Sequence, residues 1–309
     1  MDNTNNLLLL KEHIPFLHGQ VQINQINKGY SSDSKFILVK DNQKFLLRTF
    51  DYKNYHNKQT EYEALIKMEE FNVSCSRPLE MGSLQDFGIG FMILSFIEGN
   101  DAAEDLPTYS MADQYNIGFT AGKELLKIHQ YVAPTHITAW YDRKLSKHNY
   151  FIDEYFKGEV RIKDDIKILS FIDDNLHYMK HRPNIFQHHD FHVGNLIVQD
   201  RELSGIIDFN RLDWGDPVHD FLKTGFFSSE VSIPFSVGQI RGYHNNQDPN
   251  DLFWRLYSLY LAMNLISSVS WVIRVKPEET NTMLEKIYRV LEDHHYFEFN
   301  TPRWYMENL

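Results

Sequence analysis

The chain has one cysteine, Cys75, among 309 residues. A single thiol cannot close an intrachain disulfide, so no covalent staple is expected and cysteine usage gives no mark of an oxidising compartment. A basic surplus is also missing, since 31 Lys and Arg stand against 42 Asp and Glu, a formal charge of −11. Nucleic-acid backbones are gripped by clustered cations, so no nucleic-acid partner is expected. No low-complexity tract or internal repeat interrupts the chain, which argues against disorder. The leucine run Leu7 to Leu10 has no basic leader and is too short for a signal peptide, so a cytoplasmic protein is expected. One uncharged stretch approaches the length of a membrane span, Leu256 to Ile273. Asn264, four serines and two tyrosines interrupt it and Arg255 and Arg274 close its ends, so it reads as a buried helix rather than a membrane segment.

With 42% hydrophobic and 24% charged residues the composition is that of a globular protein. Val21 to Ile26, Lys35 to Lys40 and Lys44 to Thr49 are short runs rich in Ile, Leu, Val and Phe, with Asp41-Asn42-Gln43 as a hairpin turn. From Asn57 to Glu70 the period becomes helical, placing Ala64, Leu65 and Met68 on one face; strand-like segments return near Arg77 to Met81 and Gly88 to Phe96. Beyond Glu98-Gly99-Asn100 helices dominate, first on the face Gly118, Ala121, Gly122, Leu125, Ile128 and His129, then over 161–179, 249–273 and 281–293. A boundary near residue 98 follows, giving an α+β chain with a small N-terminal sheet and one helix, 1–98, and a larger helical part, 99–309. Residues 1–99 carry 10 basic and 12 acidic side chains, so a net −9 falls on the helical part. Such a field would draw amines.

The densest polar cluster is Gln187-His188-His189-Asp190-Phe191-His192-Val193-Gly194-Asn195, just before the apolar run Leu196-Ile197-Val198. A second strand, Gly205-Ile206-Ile207, ends at Asp208-Phe209, with Gln199 to Ser204 as the turn. A carboxamide from Asn195 and a carboxylate from Asp208 suit Mg²⁺, an ion that takes few protein ligands and fills its shell with water and phosphate. A zinc site on His188 and His192, four residues apart, is the rival reading; Gly194 and the strand that follows favour a loop over the helix such a site needs.

His188-x-Asp190-x-x-x-x-Asn195 followed by Ile207-Asp208-Phe209 resembles the catalytic loop and metal motif of eukaryotic-type kinases. With His192 and with Gly215-Asp216-Pro217-x-x-Asp220, the pattern more closely resembles the aminoglycoside phosphotransferase and choline kinase family over nearly the whole chain. One departure is His189, where that family usually has glycine. The resemblance implies a bilobal protein-kinase-like fold with ATP or GTP between the lobes. It implies that Asp190 orients or deprotonates the acceptor hydroxyl and that Asn195 and Asp208 hold Mg²⁺. His188 and His192 would brace the loop, and Asp216 and Asp220 would hold it by hydrogen bonds. Nucleotide contacts are expected from Ser31 and Ser32 in the turn Asn27 to Asp33, and from Arg48, which would pair with Glu61 or Glu63. Ser95 and Ile97 fall in the hinge, and Ile197 and Ile207 where apolar residues lie under the base.

Only six residues separate Asp208 from Gly215, too few for the peptide-holding segment of a protein kinase, so a small acceptor is expected. The acidic balance points to an amine-bearing one, aminoglycosides first and with them antibiotic resistance by extrapolation. Asp213 is the expected acceptor carboxylate and Trp271 an aromatic face for a sugar or a quaternary ammonium. Kinases of choline, homoserine or a sugar, a silent nucleotide-binding protein and a metal-dependent hydrolase are the alternatives.

Overall fold

The computed structural model describes residues 9–26 and 33–308. By backbone contacts they form two compact units, one running to Glu98 and including Gly205–Asn210, the other Gly99–Ser204 with the residues from Arg211 onward. The short insertion joins the first unit because Ile206 N–H donates to the Ser74 carbonyl at 2.8 Å and pairs in parallel with Cys75.

The first unit holds five antiparallel strands, β1 (Gln22–Ile26), β2 (Ser34–Lys40), β3 (Gln43–Asp51), β4 (Pro78–Leu84) and β5 (Ile89–Ser95), in the order β1-β2-β3-β5-β4. Asp41 and Asn42 connect β2 to β3 with φ of 50° and 60°, the left-handed pair whose twist matches a two-residue hairpin. Alternation sends Phe36, Leu38, Leu47, Phe91 and Ile93 to one face, where Leu10, Ile14 and Leu17 cover them. Helix α1 (Tyr55–Glu70) buries Glu61, Ala64, Leu65 and Met68, a stripe at helical spacing with one carboxylate inside it.

The second unit is mostly helical: α2 (Met111–Ile128), α3 (Trp140–Lys157), α4 (Asp165–Asn175), α5 (Ile233–Tyr243), α6 (Asp251–Val275) and α7 (Thr280–Asp293). α2 and α5 meet backbone to backbone. A methyl group on Gly118, Gly122, Gly238 or Gly242 would lie 2.0–2.2 Å from a carbonyl oxygen of the facing helix, so the repeated small-x-x-x-small spacing sets the approach. α6 contains the long uncharged stretch; it is long and apolar enough to cross a membrane by length and composition, and most of that stretch is buried inside the protein. α3 and α5 were not expected. In α3 only Trp140, His148 and Tyr155 are buried, so its helical face is spread too thinly among charges to read from apolar spacing.

Further short strands follow along the chain, the last residues of β9 belonging to the first unit. β6 (Asn100–Asp101), β8 (Leu196–Gln199) and β9 (Glu202–Ile206) form one sheet in the order β6-β8-β9, while β7 (Ile185–Gln187) pairs with β10 (Asp213–Gly215). The β8–β9 turn is shorter than expected. Asp200 and Arg201, φ 52° and 65°, make the whole connection, and Glu202 to Ser204 already belong to the strand.

Candidate active site

The loop between β7 and β8 is built around Asp220. This fully buried carboxylate accepts the His188 N–H at 2.9 Å and the His189 N–H at 2.7 Å, and His129 Nε2 lies 3.1 Å away with its other nitrogen on the Tyr243 hydroxyl. Burial pushes the Asp220 carboxyl up, but its hydrogen bond and charge interaction with His129 hold it below its ordinary value. Asp216 performs the same work one turn earlier. It receives Arg182 through two nitrogens at 2.6 and 3.0 Å, the Tyr260 hydroxyl at 2.8 Å and the Val218 N–H at 3.1 Å, and its own carbonyl accepts from Gln187. A loop fixed at that many points can hold a strained residue. His189 has φ 65°, the left-handed conformation that glycine takes most easily, which is the physical meaning of a histidine at that position.

His188 Nδ1 accepts the Asp190 N–H at 3.3 Å, and His192 Nδ1 accepts the Gly194 N–H at 3.1 Å. Both imidazoles therefore brace the loop. Among the described residues no group of three or more His, Cys, Asp and Glu is placed to hold a metal ion. Asn195 ends the loop and donates its Nδ2 to the Asp190 carbonyl at 2.8 Å, which fixes the amide so that its oxygen is turned from that carbonyl. The Asp190 carboxylate lies 3.2 Å from Lys223 Nζ, 3.6 Å from His192 Nε2 and 3.8 Å from Arg211 Nε. Burial raises its pKa, yet Lys223, His192 and Arg211 outweigh that and bring it down to about 2, so the group is ionised at neutral pH.

In the first unit Arg48 is 5% exposed and lies against two carboxylates. Its guanidinium bonds Glu61 through both terminal nitrogens and Asp33 through Nε at 3.2 Å and Nη2 at 2.6 Å. Lys58 closes the cluster, 2.6 Å from Asp33 and 3.5 Å from Glu61. Glu63 is exposed and accepts from Gln59 instead. A cavity of about 40 Å³ beside this cluster is lined by Arg48, Glu61, Leu65, Ser76, Ile207 and Asp208. Asp208 is half-buried and has φ 68°, a second non-glycine residue held in the left-handed region. Ser95 ties β5 to the residue before β4, donating its N–H to the Arg77 carbonyl and accepting the Arg77 N–H on its hydroxyl, both at 2.8 Å. Ile97 packs over Gly205. In the second unit Ile197 is half-buried against Gly99. Ser31 and Ser32 lie outside the described residues.

The model of the phosphotransferase enzyme family matches residues 22–256, about three quarters of the chain. The chain belongs to this family. No curated protein matches it. Solved structures do: a mutant of aminoglycoside 2′-phosphotransferase-IIIa in its GDP complex is 13% identical, with a TM-score of 0.72 over 97% of this chain and 100% of that one. A thermostable mutant of aminoglycoside phosphotransferase APH(4)-Ia, in ternary complex with ADP and hygromycin B, is 11% identical with a TM-score of 0.66, over 92% of this chain and 97% of that one. The gentamicin complex of APH(2″)-IIa is 16% identical with a TM-score of 0.61, over 94% and 96%. These likenesses establish the protein-kinase-like α+β fold, antiparallel sheet first and helices after.

In this phosphotransferase the surroundings of Asp190 are basic, although the helical part as a whole is acidic. Asp213 is already engaged: Arg143 Nη1 lies 2.8 Å from its carboxylate, and the same oxygen accepts the Trp214 N–H at 2.7 Å. Trp271 is half-buried near the end of α6. Motif spacing missed Asp33, Lys58, Lys223 and the cations of α3. Asp33 is the last residue of the expected phosphate turn and could have been found there; the others belong to no local pattern.

Proposed function

We propose that the protein transfers the γ-phosphoryl group of ATP or GTP to a hydroxyl of a small molecule. The observation that carries this reading is the ionised Asp190 carboxylate, on a loop whose backbone Asp220 holds, with Lys223 and Arg211 beside it. The hydroxyl oxygen attacks the γ-phosphorus, the bond from that phosphorus to the bridging oxygen of the β-phosphate breaks, and the nucleoside diphosphate leaves with the electron pair. Asp190 accepts the hydroxyl proton and passes it to solvent. Lys223 and Arg211 offset charge on the transferring oxygens. Asn195 offers an amide oxygen and Asp208 a carboxylate, donors of the kind Mg²⁺ takes; they would hold the ion, which would neutralise phosphate charge. Arg48 would serve the α and β phosphates, and Ser95 and Ile97 the base.

Similar structures hold ADP and GDP, which supports a nucleotide co-substrate and leaves both purines open. The ADP-bound one also holds hygromycin B and another holds gentamicin, which supports a small acceptor. The test incubates the purified protein with Mg²⁺, ATP or GTP and a panel of hydroxylated metabolites and antibiotics, and follows diphosphate release and the mass of the acceptor. A gain of one phosphoryl group by an acceptor, abolished in Asp190→Asn, is the expected result. Nucleotide binding with no transfer to any acceptor would count against it.

A further inference from the structure

The cations of α3 carry an inference about the acceptor itself. Lys144 is half-buried, and its only hydrogen-bond partner found among the described residues is His219 Nε2 at 2.9 Å. The His219 ring in turn lies 5.1 Å from that of His189, the residue preceding Asp190. Lys147, one turn further along α3, is exposed and within electrostatic reach of both Lys144 and His189. Neither lysine forms a salt bridge among the described residues; the half-buried Arg77 and Arg255 form none either, whereas Lys58, Arg143, Arg182 and Arg289 do. Withdrawing an ammonium from water is costly, and besides His219 Lys144 is met by the Trp140 and Tyr260 rings at 5.7 and 5.9 Å and by easier loss of its proton, so an anion arriving beside it would favour the charged lysine. Of the carboxylates nearby, Asp190 and the buried Asp220 belong to the catalytic loop, Asp213 is held by Arg143, and Asp142 lines a surface pocket with Arg143 and Lys147 but forms no salt bridge with Lys147 among the described residues. A polycation would meet Lys144, Lys147, Lys223 and Arg211 together and be repelled.

Resting on the phosphotransferase reading above, we propose that the acceptor carries an anionic group, a carboxylate or a phosphate monoester, held by Lys144 and Lys147 while its hydroxyl faces Asp190. The local field reverses the sign that net charge alone suggests. Burial, with Lys147 and Lys223 adding to it and Asp213 opposing, lowers the Lys144 pKa to about 7. Facing groups are His219, Tyr260, Lys147, His148, Asp213 and Lys223. An anion arriving there would draw a proton onto Lys144, so its affinity should fall as pH rises from 7 to 9.

The experiment compares matched acceptors in the same diphosphate-release assay: gluconate against sorbitol, glucose 6-phosphate against glucose, and kanamycin and hygromycin B as polycations. The expected result is turnover of an acid or a phosphate at least about tenfold above its neutral partner. The two arms tell carboxylate from phosphate. Lys147→Ala and Lys144→Met should each raise the acceptor KM about tenfold and leave the nucleotide KM within about twofold. Preference for the polycations, or a loss confined to the nucleotide KM, overturns the proposal. A second measurement does not depend on turnover: calorimetric titration of inorganic phosphate and of gluconate into the Mg²⁺-ADP-saturated protein, wild type against the Lys144→Met, Lys147→Ala double variant. Equal binding of both ligands to the two proteins also overturns it. Absence of diphosphate release with every acceptor, beside lysine-dependent anion binding, would sink the phosphotransferase reading and keep the anion site.

Discussion

Two clusters of charge organise this protein, and they are balanced in opposite ways. In the first unit, Arg48 and Lys58 meet Asp33 and Glu61, two cations on two carboxylates. Each partner answers the other: Asp33 titrates below the usual carboxylate range and Arg48 above its own. In the second unit, Asp190 shares its surroundings with Lys223 and Arg211, and Lys144 and Lys147 lie near it with no salt bridge of their own among the described residues. A closed cluster contributes rigidity, because removing one member strands the rest; an open one leaves part of its electrostatic work to a ligand. Stability should therefore be sensitive at the first cluster and catalysis at the second.

Asp190→Asn tests the open cluster most directly. It keeps size and removes the charge that orients and deprotonates the acceptor, so kcat should drop by about 10³-fold or more. The thermal midpoint and nucleotide affinity should stay near wild type. A variant that turns over normally would remove Asp190 from the reaction.

Arg48→Met makes the reciprocal test. Glu61 and Asp33 would lose the guanidinium they share, and unfolding in urea should show a loss of about 3–5 kcal/mol. Nucleotide binding should weaken as well. If Arg48→Met unfolds at the wild-type urea concentration, the first cluster is not the brace that its geometry suggests.

Lys223→Met separates the clusters by a smaller effect. The lysine lies 3.2 Å from Asp190 and is replaced by a side chain that can still lie along the Phe227 ring. Its kcat should fall about 10–100-fold, with the urea midpoint unchanged. A loss of stability without a loss of rate would make Lys223 part of a structural pair.

Much of this contrast could be read in the sequence, and what could not has a physical reason. Alternation and two Asp-containing turns located the sheets, because a strand declares its buried face every second residue. Asp190, Asn195, Asp208, Asp216 and Asp220 stood out because a catalytic loop must place fixed chemistry within a short stretch of chain. Arg48 was visible as a cation at the end of an apolar run, but the choice of Glu61 over Glu63 was settled only by which side of α1 faces the core. The sign of the field around Asp190 was hidden altogether. Arg143, Lys144 and Lys147 sit on a helix with three buried residues, and Lys223 lies 33 positions from Asp190 along the chain. Net charge sums side chains over a whole surface, whereas a site responds to those within a Debye length.

The smallest effect concerns protons elsewhere in the second unit. Burial lowers the pKa of His148 and His294 to about 4, against an ordinary value of 6.5, with Lys144 adding to the shift at His148 and the Phe299 carbonyl opposing it at His294. The unfolded chain then binds more protons than the folded one between pH 6.5 and 4. Stability should be full above pH 6.5 and decline as the pH falls through that window, by at most about 1.4 kcal/mol per pH unit for each fully shifted group. His294 is 1% exposed, and its Nδ1 lies 2.9 Å from the Phe299 carbonyl. His294→Asn keeps a donor at that position and cannot titrate, so its own midpoint will be lower from lost packing on Tyr257 and Phe297. The informative quantity is the slope. Melting curves from pH 4.5 to 7.5 should show a shallower decline for His294→Asn than for wild type, while Asp190→Asn should keep the wild-type slope. Parallel slopes for wild type and His294→Asn would mean that this imidazole is already protonated in the folded protein, and that the helical unit tolerates charge in its interior as well as at its open cluster.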